Sequence, residues 1–551
     1  MKLRDHYDWI VLGSHPGALY SASLAAKLGL SVLIVPYGLP SPSRRTEAGL
    51  LFDPEPNFLM GVSDDGLTPG WVLQGLGFSD LPPEFLTYTR TQSRVLPQVL
   101  TPQARLVLET QESLPFELQR ELGSTAAHQL GLISALKMSE QDLLSFWSHL
   151  PSQLFPQAPT PAGAKPHAYS FSRDLRETRK KLILKDKLKS KSQSQVESRS
   201  QTKSRSTHQF WFAERETVGS LLERIGVGSF QEIASGLYSG LASSAQTDPL
   251  LFDLLILFHL SRTGAAFQGG LTAFRGFLIK RAIELGAHFN PESSCKRIFI
   301  ENQHFKGVQM GGSGNMISGA TGILGCPVSR VDPNLIQNSK PWYYFGQKKR
   351  DNSANPSGWR FTLALGVHQE AIPEKLQNRA FWQEKGAPLL EIEVAEPNSH
   401  ENAQPGERVI FLRTLLPYEV ESLDPDYQRR IAGRMFRKAT ELMPFLEYHV
   451  TQIYPDFRAS SPAVRALLRT QAETGRTEGR PDGDEITRVY GFSSLDEIPD
   501  PLLCYSGQGI GPTTGVEKLY AASHESYPFL GDLGGIVAAL QALSEATGRT
   551  R

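Results

Sequence analysis

Residues 9–35 read WIVLGSHPGALYSASLAAKLGLSVLIV, and the punctuation of this stretch decides the fold. Trp9 to Leu12 is a short apolar run of buried-strand type. Gly13 to Gly17 is a turn. Ala18 to Leu28 suits a helix, Gly29 its stop, and Ser31 to Val35 a second strand. Together they make a βαβ unit, whose strands are buried in a parallel sheet. Ile10 and Leu33 are expected to sit side by side in it. The only charge inside is Lys27, with Lys2 and Arg4 ahead, which gives the stretch the look of a signal anchor. The turn and the helix stop argue against that, because they break the run into pieces shorter than the roughly 20 residues a bilayer requires. The other apolar run, Leu250 to Leu260, is also too short and contains Asp253 and His259. No transmembrane helix is expected.

A glycine turn between strand and helix opens a Rossmann-type dinucleotide site, G-x-G-x-x-G/A, with an acidic residue about 20 residues on. The first glycine permits the tight turn, the second lets a pyrophosphate approach the backbone, and the third lets helix pack on strand. The helix N-terminus then offers free N–H groups to the phosphate. Here Gly13 fills the first place and Ala18 the third. His15 fills the second, where a side chain obstructs the phosphate. Pro36 stands where the acidic ribose partner belongs.

Working outward, the 551 residues allow three or four domains at about 150 residues each. Lys plus Arg and Asp plus Glu are 57 each, so no global basic excess points to nucleic acid. The charge is nevertheless uneven. Between Arg173 and Arg205 seven Lys and five Arg face two Asp and two Glu, a net of +8. Residues 190–207 have almost nothing apolar to bury and are expected to be disordered. The basic stretch reads first as a solvated insertion loop, and otherwise as a surface that touches anionic lipid or RNA. Cys295, Cys326 and Cys504 are far apart, with no CxxC pair and no disulfide framework, which suits a reducing cytoplasm. The histidines have no metal-site spacing, and no G-x-S-x-G elbow occurs. Glu391 and Glu393 share one face of a strand and are expected to be solvated. Leu221 to Arg262 reads as helical, with its leucines as core. Trp359 to Val367, Pro388 to Val394 and Arg408 to Leu412 read as strands, and Thr474 to Glu485 as a polar loop or lid.

Four blocks carry a family resemblance. Arg45-Thr-Glu-Ala-Gly49-Leu-Leu-Phe52-Asp53-Pro-Glu55-Pro56 is similar to the "R…GF.FD.GP" pattern of phytoene desaturases and carotenoid isomerases, FAD-dependent oxidoreductases of the amine-oxidase-like class. Gly269-Gly270-Leu271, the helix after it, Gly286-Ala287, Cys295 to Ile300 and Gly307-Val308 resemble a second block. Ala403 to Leu412 resembles the "APEG" strand entry, and Leu519 to Gly535 the C-terminal "LYLAG…HPG.G..G" segment. The resemblance covers about residues 5–61 and 260–547. It implies an α/β fold, a discontinuous Rossmann-type FAD-binding domain with an inserted α+β substrate domain. The FAD/NAD(P)-type domain would comprise 1–61, 262–340 and 460–551. A helical insertion would comprise 62–170 and 208–261, a basic disordered loop 171–207, and a substrate-type domain 341–459.

The resemblance further implies FAD as cofactor, an apolar small-molecule substrate of isoprenoid type held in a tunnel, and cytoplasmic location with peripheral membrane contact. Gly13, His15, Ala18, Arg44, Arg45, Cys295, Glu525, Gly531 and Gly534 stand where cofactor contacts would be. His15, Arg44 and Arg45 would donate to the pyrophosphate. Cys295 would offer backbone to the adenine end, and Glu525 would take a ribityl hydroxyl. The departures are Pro42-Ser43 for the paired glycines, Glu55 for the glycine of "GP", and Ser523-His524 for the C-terminal pair. They support an alternative, a cofactor-free binding protein on the same fold, lipid- or protein-binding like Rab GDP-dissociation inhibitors.

Overall fold

The structure is a computed structural model. It describes residues 3–35, 270–290, 295–311, 316–328, 355–384, 386–395, 406–419, 424–455 and 511–547, with shorter pieces within 44–60, 97–121, 217–266, 331–337 and 502–509. The basic stretch 173–205 and the polar loop 474–485 lie outside the described residues.

The βαβ unit folds as its punctuation requires. β1 (His6–Gly13) leads into α1 (Pro16–Lys27) and β2 (Val32–Val35), and the strands pair in parallel with Ile10 opposite Leu33. Asp8 fastens the start of this pairing, since its carboxylate accepts from the backbone N–H and the hydroxyl of Ser31 at 2.8 and 2.6 Å. Residues 16–26 of α1 are buried on every side, which is why the sequence there is apolar all round rather than striped.

The rest of the sheet comes from distant chain. α2 (Gly270–Glu284) leads to β3 (His288–Phe289), which pairs with β2. Then β4 (Cys295–Glu301), β5 (His304–Met310) and β6 (Met316–Gly325) run as a meander that joins β1 on its other side. β6 is shared: its first half pairs antiparallel with β5, its second half parallel with Leu519–Ala521.

The second sheet is antiparallel at its centre. β7 (Asn355–His368), β8 (Arg379–Trp382), β9 (Leu390–Val394) and β10 (Glu407–Leu416) supply it; β7, β9 and β10 lie where the sequence reads as strand, and β8 is added by the structure. α3 (Pro425–Leu442) covers one face, and α4 (Leu446–His449) and β11 (Val450–Tyr454) follow. β12 (Leu502–Ser506) pairs along β7. β13 (Leu519–Ala521) returns the chain to the first sheet, and α5 (Asp532–Ala546) packs against α1.

The glycines at the turn are absorbed by this packing. Gly13 has φ +114°, and a β-carbon on it would lie 2.6 Å from the Gly325 carbonyl oxygen. A β-carbon on Gly17 would lie 2.2 Å from the backbone carbon of Gly535, so α1 and α5 touch backbone to backbone. Replacing Gly17 by Ala is therefore expected to destabilise the protein by about 1–3 kcal/mol in urea unfolding. Gly276, mid-helix and exposed with open space around it, serves as control. Gly276→Ala is expected to stabilise by about 0.5–1 kcal/mol. Equal effects at the two sites would mean that the α1–α5 contact is not tight.

Candidate functional site

The N-termini of α1 and α5 meet at a buried polar cluster. His15 precedes α1 and caps it. Its Nδ1 accepts from the Gly17 N–H at 3.1 Å, so the proton sits on Nε2. The ring is buried at 6 % exposure, lies against Gly535, and stands edge-on to the His524 ring at 4.5 Å between centroids. His524 lies between two carboxylates, with Nδ1 3.4 Å from Asp532 Oδ1 and Nε2 3.9 Å from Glu55 Oε1. Glu55 is ion-paired with Arg275 from α2. Among the described residues here, His15 Nε2, Asp532 Oδ1 and Ser523 Oγ are buried with no hydrogen bond.

The electrostatics balance within the cluster. Burial, with His524 adding to it, holds His15 well below its ordinary pKa, so the ring is neutral. Burial also pulls on His524, but Asp532 and Glu55 outweigh it and raise its pKa. Burial raises Asp532. Burial pushes Glu55 up too, but Arg275 and His524 hold it far below the usual carboxylate range.

A second set of buried charges continues from the first. Arg413 donates to Glu393 at 2.7 Å and to the Glu55 carbonyl at 2.8 Å. Arg379 donates to Glu391 at 3.0 Å and to the Gly240 carbonyl at 3.1 Å. Arg360 is buried with them. Glu391 and Glu393 are thus not solvated as their spacing suggests. They face inward at 4 and 5 % exposure because arginines on the neighbouring strands neutralise them. The signal was present in the sequence: single charges inside apolar strands, at Arg360, Arg413 and Glu391, with both signs represented.

The predicted cofactor residues fall differently. His15 joins the cluster, but as an acceptor for its own helix rather than a donor to phosphate. Gly531, φ +57°, and Gly534 shape the turn into α5, where a β-carbon on Gly534 would lie 2.3 Å from the Tyr527 carbonyl oxygen. Ala18 packs against Gly325. Glu525 is buried in the 523–526 turn. Cys295 is not brought in. It starts β4, three strands across the sheet from β1, and burial pushes its thiol pKa up to about 12. All three cysteines are buried and in no disulfide. Arg44 and Arg45 form a short strand with Leu51–Phe52; their side chains lie outside the described residues. Glu55, Arg275, His524 and Asp532 were not anticipated as a group.

His15, His524 and Asp532 are residue types that bind metals, with one ligand atom each within 4.8 Å of the others. His15 is committed elsewhere. Its lone pair goes to Gly17, and the nitrogen facing Asp532 carries the proton, so it has nothing to give a metal.

No family model and no curated protein matches the sequence. Solved structures do. An oxidoreductase from Methanosarcina mazei is similar with a TM-score of 0.54 at 11 % identity, covering 98 % of this chain and 100 % of that one. What is shared is the fold. Putrescine oxidase bound to putrescine gives 0.47 at 12 % identity, covering 98 % and 99 %. Rab GDI from Plasmodium falciparum gives 0.45 at 10 % identity, covering 99 % of each chain. The mixed α/β architecture expected from the sequence is therefore shared with an oxidoreductase.

The FAD that the sequence resemblance implies does not fit the turn as it stands. A pyrophosphate needs the free N–H groups at the start of α1. The Gly17 N–H is taken by His15, the ring fills the space up to Gly535, and the carboxylates of Glu55 and Asp532 are close by.

Two outcomes follow from the charges. His524, raised above its ordinary 6.5, contributes stability that is full below that pH and is lost as pH rises through its folded value. His524→Gln is thus expected to cost most at low pH, the difference from wild type shrinking toward high pH in urea unfolding. His15 is depressed, so the wild type is expected to lose ground to His15→Gln as pH falls below 6.5. Flat differences would place both rings outside the folding linkage. Arg413→Met, which strands Glu393, is expected to cost about 3–5 kcal/mol by thermal or urea unfolding.

Proposed function

We propose that this chain is a binding protein on an oxidoreductase-type fold, one that works without FAD. The observation that carries the reading is the self-capped start of α1, with His15 buried and bonded to Gly17 where a dinucleotide phosphate would be received. The second sheet supports it. In the competing reading, an FAD-dependent oxidoreductase acting on an apolar isoprenoid substrate, the sheet face toward the first domain would wall an apolar tunnel. That face carries Arg360, Arg379, Arg413, Glu391 and Glu393, with Arg379 and Arg413 already paired with the two glutamates and with the chain at Gly240 and Glu55. Fold likeness alone does not carry an activity across. The discontinuous arrangement, with 1–61, 262–340 and 460–551 in one domain and 341–459 in the other, belongs to the same proposal, except that Leu502–Ser506 pairs with Asn355–His368 in the second sheet.

The test is FAD titration followed by flavin fluorescence, on wild type and His15→Gly. Neither protein is expected to bind, because removing the ring leaves Glu55 and Asp532 in place. Tight stoichiometric flavin in the wild type would overturn the proposal. Binding by His15→Gly alone would narrow the loss of the cofactor to that one residue.

A further inference from the structure

α3 turns its apolar stripe, Ile431, Ala432, Met435, Phe436 and Ala439, into the core of the second sheet. Its outer face is basic. Over Pro425–Leu442 four Arg and one Lys stand against Asp426 and Glu441, a net of +3. Arg430 and Arg434 are exposed; Lys438 is neutralised by Glu384 and Glu441 at 2.7 and 2.8 Å. Arg430 and Arg434 are one helical step of four apart, on a line that runs toward the turn after the helix.

That turn displays two aromatic rings. Phe445 is 66 % exposed and Tyr448 52 %, with centroids 6.4 Å apart. Phe445 has φ +75° and ψ 4°, the left-handed region that disfavours a bulky side chain. Glycine or asparagine would be more stable at such a helix boundary. The chain therefore carries a double cost here, in backbone conformation and in apolar surface left in water. A surface outside the molecule that receives the ring would offset it.

We infer that Phe445 and Tyr448, with the outer face of α3, dock on an anionic phospholipid bilayer. The rings would enter the interfacial layer, where an aromatic body and a polar tip are both accommodated. Arg430 and Arg434 would meet lipid phosphates. Charge complementarity selects this occupant: the basic face points to a negatively charged partner, and two rings at a helix end suit a shallow insertion. No helix among the described residues is long and apolar enough to cross a membrane, so the contact is peripheral. Among the described residues, the carboxylates beside the patch are Glu447, half-buried, Glu441 and Glu384, both paired with Lys438, and exposed Glu370 in the turn that α4 packs on. This surface is separate from the α1–α5 cluster, and the inference does not rest on the binding-protein reading.

The test is co-sedimentation of the full chain with vesicles of phosphatidylcholine alone and of phosphatidylcholine mixed with phosphatidylserine. Wild type is expected to pellet with the anionic vesicles only, and less so as salt rises. Arg430→Gln with Arg434→Gln should weaken the partition about five-fold for each arginine. Phe445→Ser with Tyr448→Ser should weaken it on both salt conditions alike. Tyr418→Ser, another exposed aromatic elsewhere on the chain, should leave it unchanged. Unfolding curves check that each variant is folded, and Phe445→Gly, which removes the ring but suits the left-handed backbone, stands in if the serine pair is not. Failure of wild type to bind anionic vesicles overturns the inference. So does binding unchanged in both pairs of variants, which would assign the lipid contact to the basic stretch 173–205.

Discussion

The contact between the starts of α1 and α5 is the constraint on which the rest depends. At Gly17 and Gly535 the two helices approach too closely for any β-carbon, and His15 is pressed into the remaining space. One residue thereby decides two things. As a cap it satisfies a helix donor that a phosphate would otherwise take. As a filler it brings Asp532 and His524 into mutual range. A glycine at that position would leave the helix donor free and the space open. The change from glycine to histidine is therefore a change in what the fold can hold, made without altering the fold.

Buried charge is the second determinant. Taking a carboxylate or guanidinium out of water costs several kcal/mol, so these groups persist only where opposite charges and carbonyls surround them. In this chain the buried set includes Arg275, Arg360, Arg379 and Arg413 with Glu55, Glu391, Glu393 and Asp532. Among the described residues Asp253 and Glu525 are buried as well, so the carboxylates outnumber the four arginines and the buried set has no surplus of positive charge. Such a set gains little from an added anion, and it specifies one docking of the sheets more sharply than apolar side chains would.

Much of this fold was legible because its signals are local. The apolar run Trp9–Leu12, the glycines at 13 and 29 and the run at 32–35 each state their role within a few residues, down to the pairing of Ile10 with Leu33. The site was less legible because its members are local to nothing. Glu55, Arg275, His524 and Asp532 come from three distant stretches, and only the packing of α1, α2 and α5 brings them together. Glu391 and Glu393 show how a local rule fails: their spacing fixes a shared face, while the sign of that face, wet or dry, depends on Arg379 and Arg413 from neighbouring strands.

The sharing of β6 between β5 and β13, and of α1 between α2 and α5, also governs the order in which this chain can fold. α1, buried along almost its whole length, is synthesised well before α5, which covers it. At about 5–20 residues per second, the roughly 500 residues in between take on the order of half a minute to two minutes. Throughout that time the apolar surface of α1 has no native partner on the α5 side. The protein is thus a natural client for chaperones during translation, and loss of α5 would strip α1 of its cover at Gly17 and leave only α2 and the first sheet against it.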